Sequence, residues 1–209
     1  GSPFAPSLAG RYVHNFETKY VNNLTNPYRP KILLWKRYID DILLIWQGKA
    51  ETVLEFINWI NHLDPNLHFT HTISNTDLTF LDVVIFPEKG NLLTISYKKP
   101  TDRNNLLRLF SFHPRPLRQN LPYGQFLHLR RNCSKISDYN TQAQALTERL
   151  LERDYPMNVI KKAQKRAQNQ NRDSLLETYH KTTENPRLTC VTTFNTVSEQ
   201  VKKIILRNW

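Results

Sequence analysis

The feature that most constrains this chain is a pair of adjacent carboxylates, Asp40 and Asp41, set between two apolar runs. Ile32-Leu33-Leu34-Trp35 comes before them and Ile42-Leu43-Leu44-Ile45-Trp46 after. Runs of that length and β-branched content read as buried strands, and a short break between two of them reads as a tight hairpin. Two neighbouring carboxylates must then be solvated at the turn or compensated by a cation, because burying one alone costs several kcal/mol. Asp tolerates turn geometry well, so the pair by itself is compatible with a plain solvated turn.

The segments on either side define a mixed fold. Ala5, Leu8, Ala9, Tyr12, Val13, Phe16 and Tyr20 recur at helical spacing, with Pro6 suited to the first turn. A second helix is expected after Gly48-Lys49, with Val53, Leu54, Ile57 and Ile60 inward and Asp64-Pro65-Asn66 ending it. Three strand-like runs follow at 67–73, 78–86 and 92–97, with a turn at Lys89-Gly90-Asn91 before the last. On the middle run Asp82 falls in line with Phe80 and Val84, where a structural hydrogen-bonding role is expected. Helices with antiparallel hairpins make this part α+β.

Charge divides the chain more sharply than composition does. Residues 1–97 hold 8 Lys/Arg and 9 Asp/Glu, net −1, and residues 98–209 hold 21 and 9, net +12, so the positive charge of the chain belongs to the back half. A neutral front and a basic back suggest chemistry in the first and a polyanion grip in the second. Cys133 and Cys190 are too few for a disulfide framework or a Cys-ligated zinc site. The expectations are an intracellular, reducing compartment and no disulfide-linked partner. No apolar run reaches membrane-spanning length, so no membrane partner is expected.

Beyond residue 97 the apolar spacing turns helical. A helix is expected from near Leu121-Pro122 to Arg130-Arg131, another over 141–153, and a third in which Val159, Ile160, Ala163 and Ala167 oppose Lys161, Lys162, Lys165 and Arg166. The basic face of that third helix is either solvated or set against a nucleic-acid backbone. Tyr97, Lys98, Lys99 and Arg103 at a strand exit are placed to stack on a base or sugar and reach phosphates. Arg130 and Arg131 also complement a helix dipole. Residues 168–186 read as irregular, 188–194 as a short strand and 197–209 as a helix.

Several motifs together resemble a known family. Tyr38-Ile39-Asp40-Asp41 resembles the catalytic hairpin of reverse transcriptases, and Gly1-Ser2-Pro3-Phe4-Ala5-Pro6-Ser7 the loop-helix element that precedes it. Phe80-Leu81-Asp82, Lys99-Pro100-Thr101-Asp102, Ser111-Phe112-His113-Pro114, Pro122-Tyr123-Gly124-Gln125 and Arg130-Arg131-Asn132-Cys133-Ser134 follow in an order similar to Penelope-like retroelement reverse transcriptases. His128 departs from that pattern where a basic residue is usual.

The resemblance implies a partial polymerase palm over 1–97, a basic helical thumb over 98–187 and a truncated strand-helix segment over 188–209. It implies RNA-directed DNA polymerisation by two-metal chemistry, with Asp40 and Asp41 as catalytic ligands of Mg²⁺ or Mn²⁺. Tyr38, Ser2, Pro3, Phe4 and Ala5 would line the nucleotide site. The implied partners are an RNA template, a DNA primer and deoxynucleoside triphosphates, with the nucleus as the implied compartment. A further aspartate of the family lies on a strand preceding residue 1, so the expectation is a fragment that is inactive on its own. The alternative is a nucleic-acid-binding remnant without catalysis.

Overall fold

The computed structural model describes residues 4–177, together with 197, 198, 200, 201, 203 and 204. The strand expected at 188–194 and most of the helix expected at 197–209 lie outside the described residues. Two compact units divide the chain, residues 1–87 and 88–209. The boundary falls ten residues before the one read from charge. The strand β5 (Asn91–Ser96) explains the difference: Ile95 packs against the core of the second unit, and Ser96 is buried.

In the first unit, α1 (Ala5–Phe16) runs into a π-helical turn, Glu17–Val21. The hairpin follows as expected: β1 (Ile32–Tyr38) pairs antiparallel with β2 (Asp41–Trp46), with Tyr38 opposite Asp41 and Ile39-Asp40 as the turn. One side of it packs on α2 (Ala50–Asn61) through an aromatic cluster. The Phe56 ring lies 5.2 Å from Trp46 and 5.6 Å from Tyr28, with Trp35 edge-on at 6.2 Å. Such offset and edge-to-face pairs suit the ring quadrupoles. Phe56 is fully buried and Leu54 is exposed, which corrects the expected inward face of this helix.

A buried carboxylate ties the hairpin to the helical segment. Glu17 accepts from Arg37 Nε at 2.8 Å, from Arg37 Nη2 at 3.2 Å and from Trp35 Nε1 at 2.9 Å. The forked guanidinium and the indole N–H together offset the cost of desolvating the charge.

Two strand expectations are corrected here. Residues 67–73 form no strand. Leu67 and Phe69 do pack inward, but the Asn61 amide takes the place of a neighbouring strand. It donates to the Phe69 carbonyl at 3.0 Å and accepts from the Phe69 N–H at 2.7 Å. Residues 78–86 are not one strand but an antiparallel hairpin, β3 (Leu78–Phe80) with β4 (Val83–Glu88). Leu81, at φ 53°, and Asp82 make its turn, so Asp82 does not share a strand face with Phe80 and Val84. Unlike the Asp40-Asp41 break, this reversal begins on an apolar residue, Leu81, so apolar spacing runs through it without a mark.

The second unit enters through Lys89 and Gly90, whose positive φ values of 49° and 79° are those of a type I′ turn, and continues in β5. Three helices then build its core: α3 (Arg115–Asn132), α4 (Ile136–Leu151) and α5 (Met157–Gln168), followed by the short α6 (Arg172–Leu176). Phe126, Leu129, Tyr139, Ala143, Leu146, Leu150, Tyr155, Ile160, Ala163 and Ala167 interlock as one buried cluster. Small residues on α5 let it approach its neighbours closely. On α4, Tyr139, Ala143, Leu146 and Leu150 face inward, and Ala145 and Leu151 are exposed.

α3 starts at Arg115, six residues before the expected start at Leu121-Pro122, because Pro122 lies inside the helix. Proline has no N–H to give to the carbonyl four residues earlier. That carbonyl, of Arg118, accepts instead from the buried Tyr155 hydroxyl at 3.1 Å. Tyr155 sits in the turn between α4 and α5, so one phenol repairs α3 and fixes that turn. A second buried phenol, Tyr139 on α4, donates to the Gln164 carbonyl on α5 at 3.3 Å.

The turn itself is a Schellman closure: Tyr155 N–H donates to Leu150 O at 3.2 Å and Asp154 N–H to Leu151 O at 3.0 Å. Asp154 adopts the left-handed φ of 68° that this closure requires. Tyr155 and Leu150, the residues that flank the closure, are both fully packed in the core.

Candidate nucleic-acid interface

The expected catalytic pair lies at a surface tip. Asp40 occupies the β1–β2 turn and Asp41 the first position of β2, and both are exposed, as is Tyr38. Among the described residues no three His, Cys, Asp or Glu side chains gather closely enough to hold a metal ion. Two neighbouring carboxylates on one tip do not make up the donor set of a Mg²⁺ pair, which draws on more than one strand. Phe4 and Ala5 are exposed at the start of α1, and Ser2 and Pro3 lie outside the described residues.

The basic residues group differently. On α5, Ile160, Ala163 and Ala167 face the core, and Asn158, Lys161, Lys162 and Lys165 are exposed on the opposite side. Their spacing of three and four residues makes one stripe along the helix, extended by exposed Asn169 at its C-terminus. Arg166 is exposed on the flank, its guanidinium stacked 4.0 Å from the Tyr123 ring centroid on α3. Stacking leaves the guanidinium edges free to donate.

Arg130 and Arg131 close α3, with Arg131 exposed and Arg130 half-buried. The Arg131 carbonyl accepts from Arg172 Nε at 3.1 Å, which joins α6 to this corner. Lys98, Lys99 and Arg103 are exposed along the strand exit and Tyr97 is half-buried. That segment is tethered to α4: Arg149 pairs with Asp102 at 3.1 Å and donates to the Arg103 carbonyl at 3.4 Å. Partial desolvation, and then the neighbouring Arg149 guanidinium, lower the Lys98 ammonium from its ordinary value, with Asp102 opposing. Crowded cations of this kind are relieved by an arriving anion.

Sequence spacing had brought out four of the α5 cations but not Asn158, Asn169 or the Tyr123–Arg166 stack. Asn158 lies three and four residues before Lys161 and Lys162, so helical periodicity places it on the same stripe. The Tyr123 contact joins two helices, and no local pattern encodes it.

Three helices, α3 to α5, share one core, and α5 carries a polar solvent-facing stripe. The animal helix-turn-helix domain matches residues 105–165, a stretch that holds α3, α4 and most of α5. No curated protein and no solved structure matches the chain. The helix-turn-helix is a DNA-binding type of domain, so the matched stretch points to a nucleic-acid partner. It carries eleven Lys/Arg against four Asp/Glu, net +7. No helix among the described residues is long and apolar enough to cross a membrane.

The match overturns the reverse-transcriptase resemblance. No reverse-transcriptase family matches, and residues 105–134, which carried much of that likeness, lie inside the helix-turn-helix stretch. Short motifs such as Ser111-Phe112-His113-Pro114 and Arg130-Arg131-Asn132-Cys133-Ser134 are here the entry and exit of α3. The assignment to a retroelement reverse transcriptase rested on that likeness and falls with it.

Proposed function

We propose that this chain binds double-stranded DNA through its three-helix module, with α5 entering the major groove and its neighbours touching the backbone. The observation that carries the reading is the exposed stripe Asn158, Lys161, Lys162, Lys165 and Asn169, opposite a fully packed face, with all but Asn169 inside the matched stretch. In helix-turn-helix modules the second helix lies in the groove and its N-terminal residues meet the base edges. On α5 the N-terminal residue of the stripe is Asn158, whose amide suits the N6 and N7 atoms of adenine. Lysines along the rest of the stripe meet phosphates as point charges. Arg130, Arg131, Lys98, Lys99 and Arg103 are the backbone contacts of the flanks.

The test is fluorescence anisotropy of a blunt duplex across a salt series. The wild-type chain is compared with one carrying Lys161→Gln, Lys162→Gln, Lys165→Gln and Arg166→Gln. Each phosphate contact contributes about 0.9 to the log–log salt slope, so four flatten it by about 3.6. Between about 50 and about 200 mM salt, wild-type affinity then falls about 150-fold further than that of the variant. A variant with the same affinity and slope as wild type refutes the reading.

A further inference from the structure

The loop before α3 displays one large aromatic ring outside the core: Phe110 is 79% exposed. The loop is nevertheless held in one shape. Leu106 and Leu109 pack against the helical core on its inner side. Leu109 N–H donates to the Arg153 carbonyl at 3.1 Å, and Ser111 Oγ donates to the Arg108 carbonyl at 2.7 Å. Arg118 Nε donates to the His113 carbonyl at 2.9 Å. With Leu109 anchored inward and the backbone pinned on both sides, Phe110 is held outward.

Beside Phe110 opens a groove of about 560 Å³. Leu106 and Leu107 contribute apolar surface to it, and Arg108, Arg153 and Asp154 contribute charge. Arg108 and Asp154 are only loosely paired, at 3.9 Å, with side chains 62% and 45% exposed, so both have capacity for a ligand. Apolar surface from Leu106 and Leu107, cations from Arg108 and Arg153 and a carboxylate acceptor from Asp154 match the parts of one nucleotide. The base face stacks on an exposed ring, the phosphates meet the arginines, and the amino or ring N–H of a Watson–Crick edge meets the carboxylate. That edge is available only when the base is unpaired.

We infer that the 105–113 loop and the α4–α5 turn form a second nucleic-acid site, which takes an unpaired base of a single strand stacked on Phe110. The site uses loop and turn residues rather than the α5 stripe, so it adds to the duplex reading without depending on it. A patch that docked another protein would need the same exposed ring but would be indifferent to bases.

The test uses the full chain and a labelled single strand of about twelve nucleotides, within the range such sites occupy. An abasic strand of the same length and a blunt duplex serve as comparisons. Phe110→Ala is expected to weaken single-strand binding about 5- to 140-fold, the span of base–aromatic stacking, and to leave duplex binding unchanged. Phe110→Trp is expected to keep the affinity and to show indole quenching as the strand binds. Wild type is expected to prefer the normal strand over the abasic one, and Phe110→Ala to bind both alike. Equal single-strand affinity of wild type and Phe110→Ala overturns the inference, as does equal wild-type affinity for normal and abasic strands.

Discussion

The Tyr155–Arg118 bond can be tested as a repair of the proline inside α3. In the Tyr155→Phe variant the ring still fills its place, and only the hydroxyl is lost. The Arg118 carbonyl then loses its hydroxyl donor, and Pro122 has no N–H to replace it. Tyr155 is 2% exposed, so water offers poor compensation at the hydroxyl's position. A buried acceptor left unpaired costs about 1–3 kcal/mol, whereas a hydrogen bond lost with compensation costs about 0.5–1.5 kcal/mol. In a Pro122→Ala background the helix supplies the missing N–H to Arg118. The same Tyr155→Phe change is then expected to cost less than about 1 kcal/mol, a coupling of about 1–2 kcal/mol between the two positions. Urea unfolding followed by far-UV circular dichroism measures all four chains of the cycle. Three of the four tryptophans, Trp35, Trp46 and Trp59, lie in residues 1–87 and the fourth is Trp209, so tryptophan fluorescence mixes the two units and does not substitute. A Tyr155→Phe penalty equal in both backgrounds, within the roughly 0.5 kcal/mol expected of independent sites, refutes the argument.

Two further outcomes follow from the same module. Burial pushes the Tyr139 phenol up to about 12 from its ordinary 10.0, so the folded state favours the neutral form. The resulting stability is intact below about pH 10 and is lost as pH rises towards about 12, by up to roughly 2–3 kcal/mol. Tyr139→Phe removes that alkaline loss, and denaturation at stepped pH checks it: parallel curves for the two proteins would count against a buried phenol. Asp154→Gly is expected to stabilise the chain by about 0.5–1 kcal/mol, because glycine adopts φ 68° without the side-chain penalty. The Arg108 pair that is lost is long and exposed, and contributes little; a destabilised variant in the same unfolding assay would show that the pair had outweighed the strain.

Much of the local structure was legible before any tertiary contact was known. Apolar runs flanking Asp40-Asp41 specify a hairpin because strand pairing and a two-residue reversal are local events. The α5 stripe is legible for a similar reason: Ile160, Ala163 and Ala167 against Lys161, Lys162 and Lys165 state which face is buried. The concentration of positive charge after residue 97 likewise needs only counting.

What spacing could not supply is where unpaired backbone groups find their partners. Residues 67–73 alternate like a strand, but the Asn61 amide, not a neighbouring strand, satisfies Phe69. Pro122 reads as a helix start, and only the distant Tyr155 hydroxyl makes it tolerable in the interior. The short motifs around Asp40-Asp41 and Arg130-Arg131 are each compatible with more than one fold, so their order along the chain suggested an enzyme. In the folded protein the carboxylates stand on a solvated tip, while the basic helix packs into a three-helix core. Hydrophobic periodicity is written residue by residue, and it determined the helices, the hairpin and the basic face. Partner choice for a buried carbonyl, an amide or a cation depends on groups brought together from far along the chain, and that was decided only when the three helices closed around Tyr139 and Tyr155.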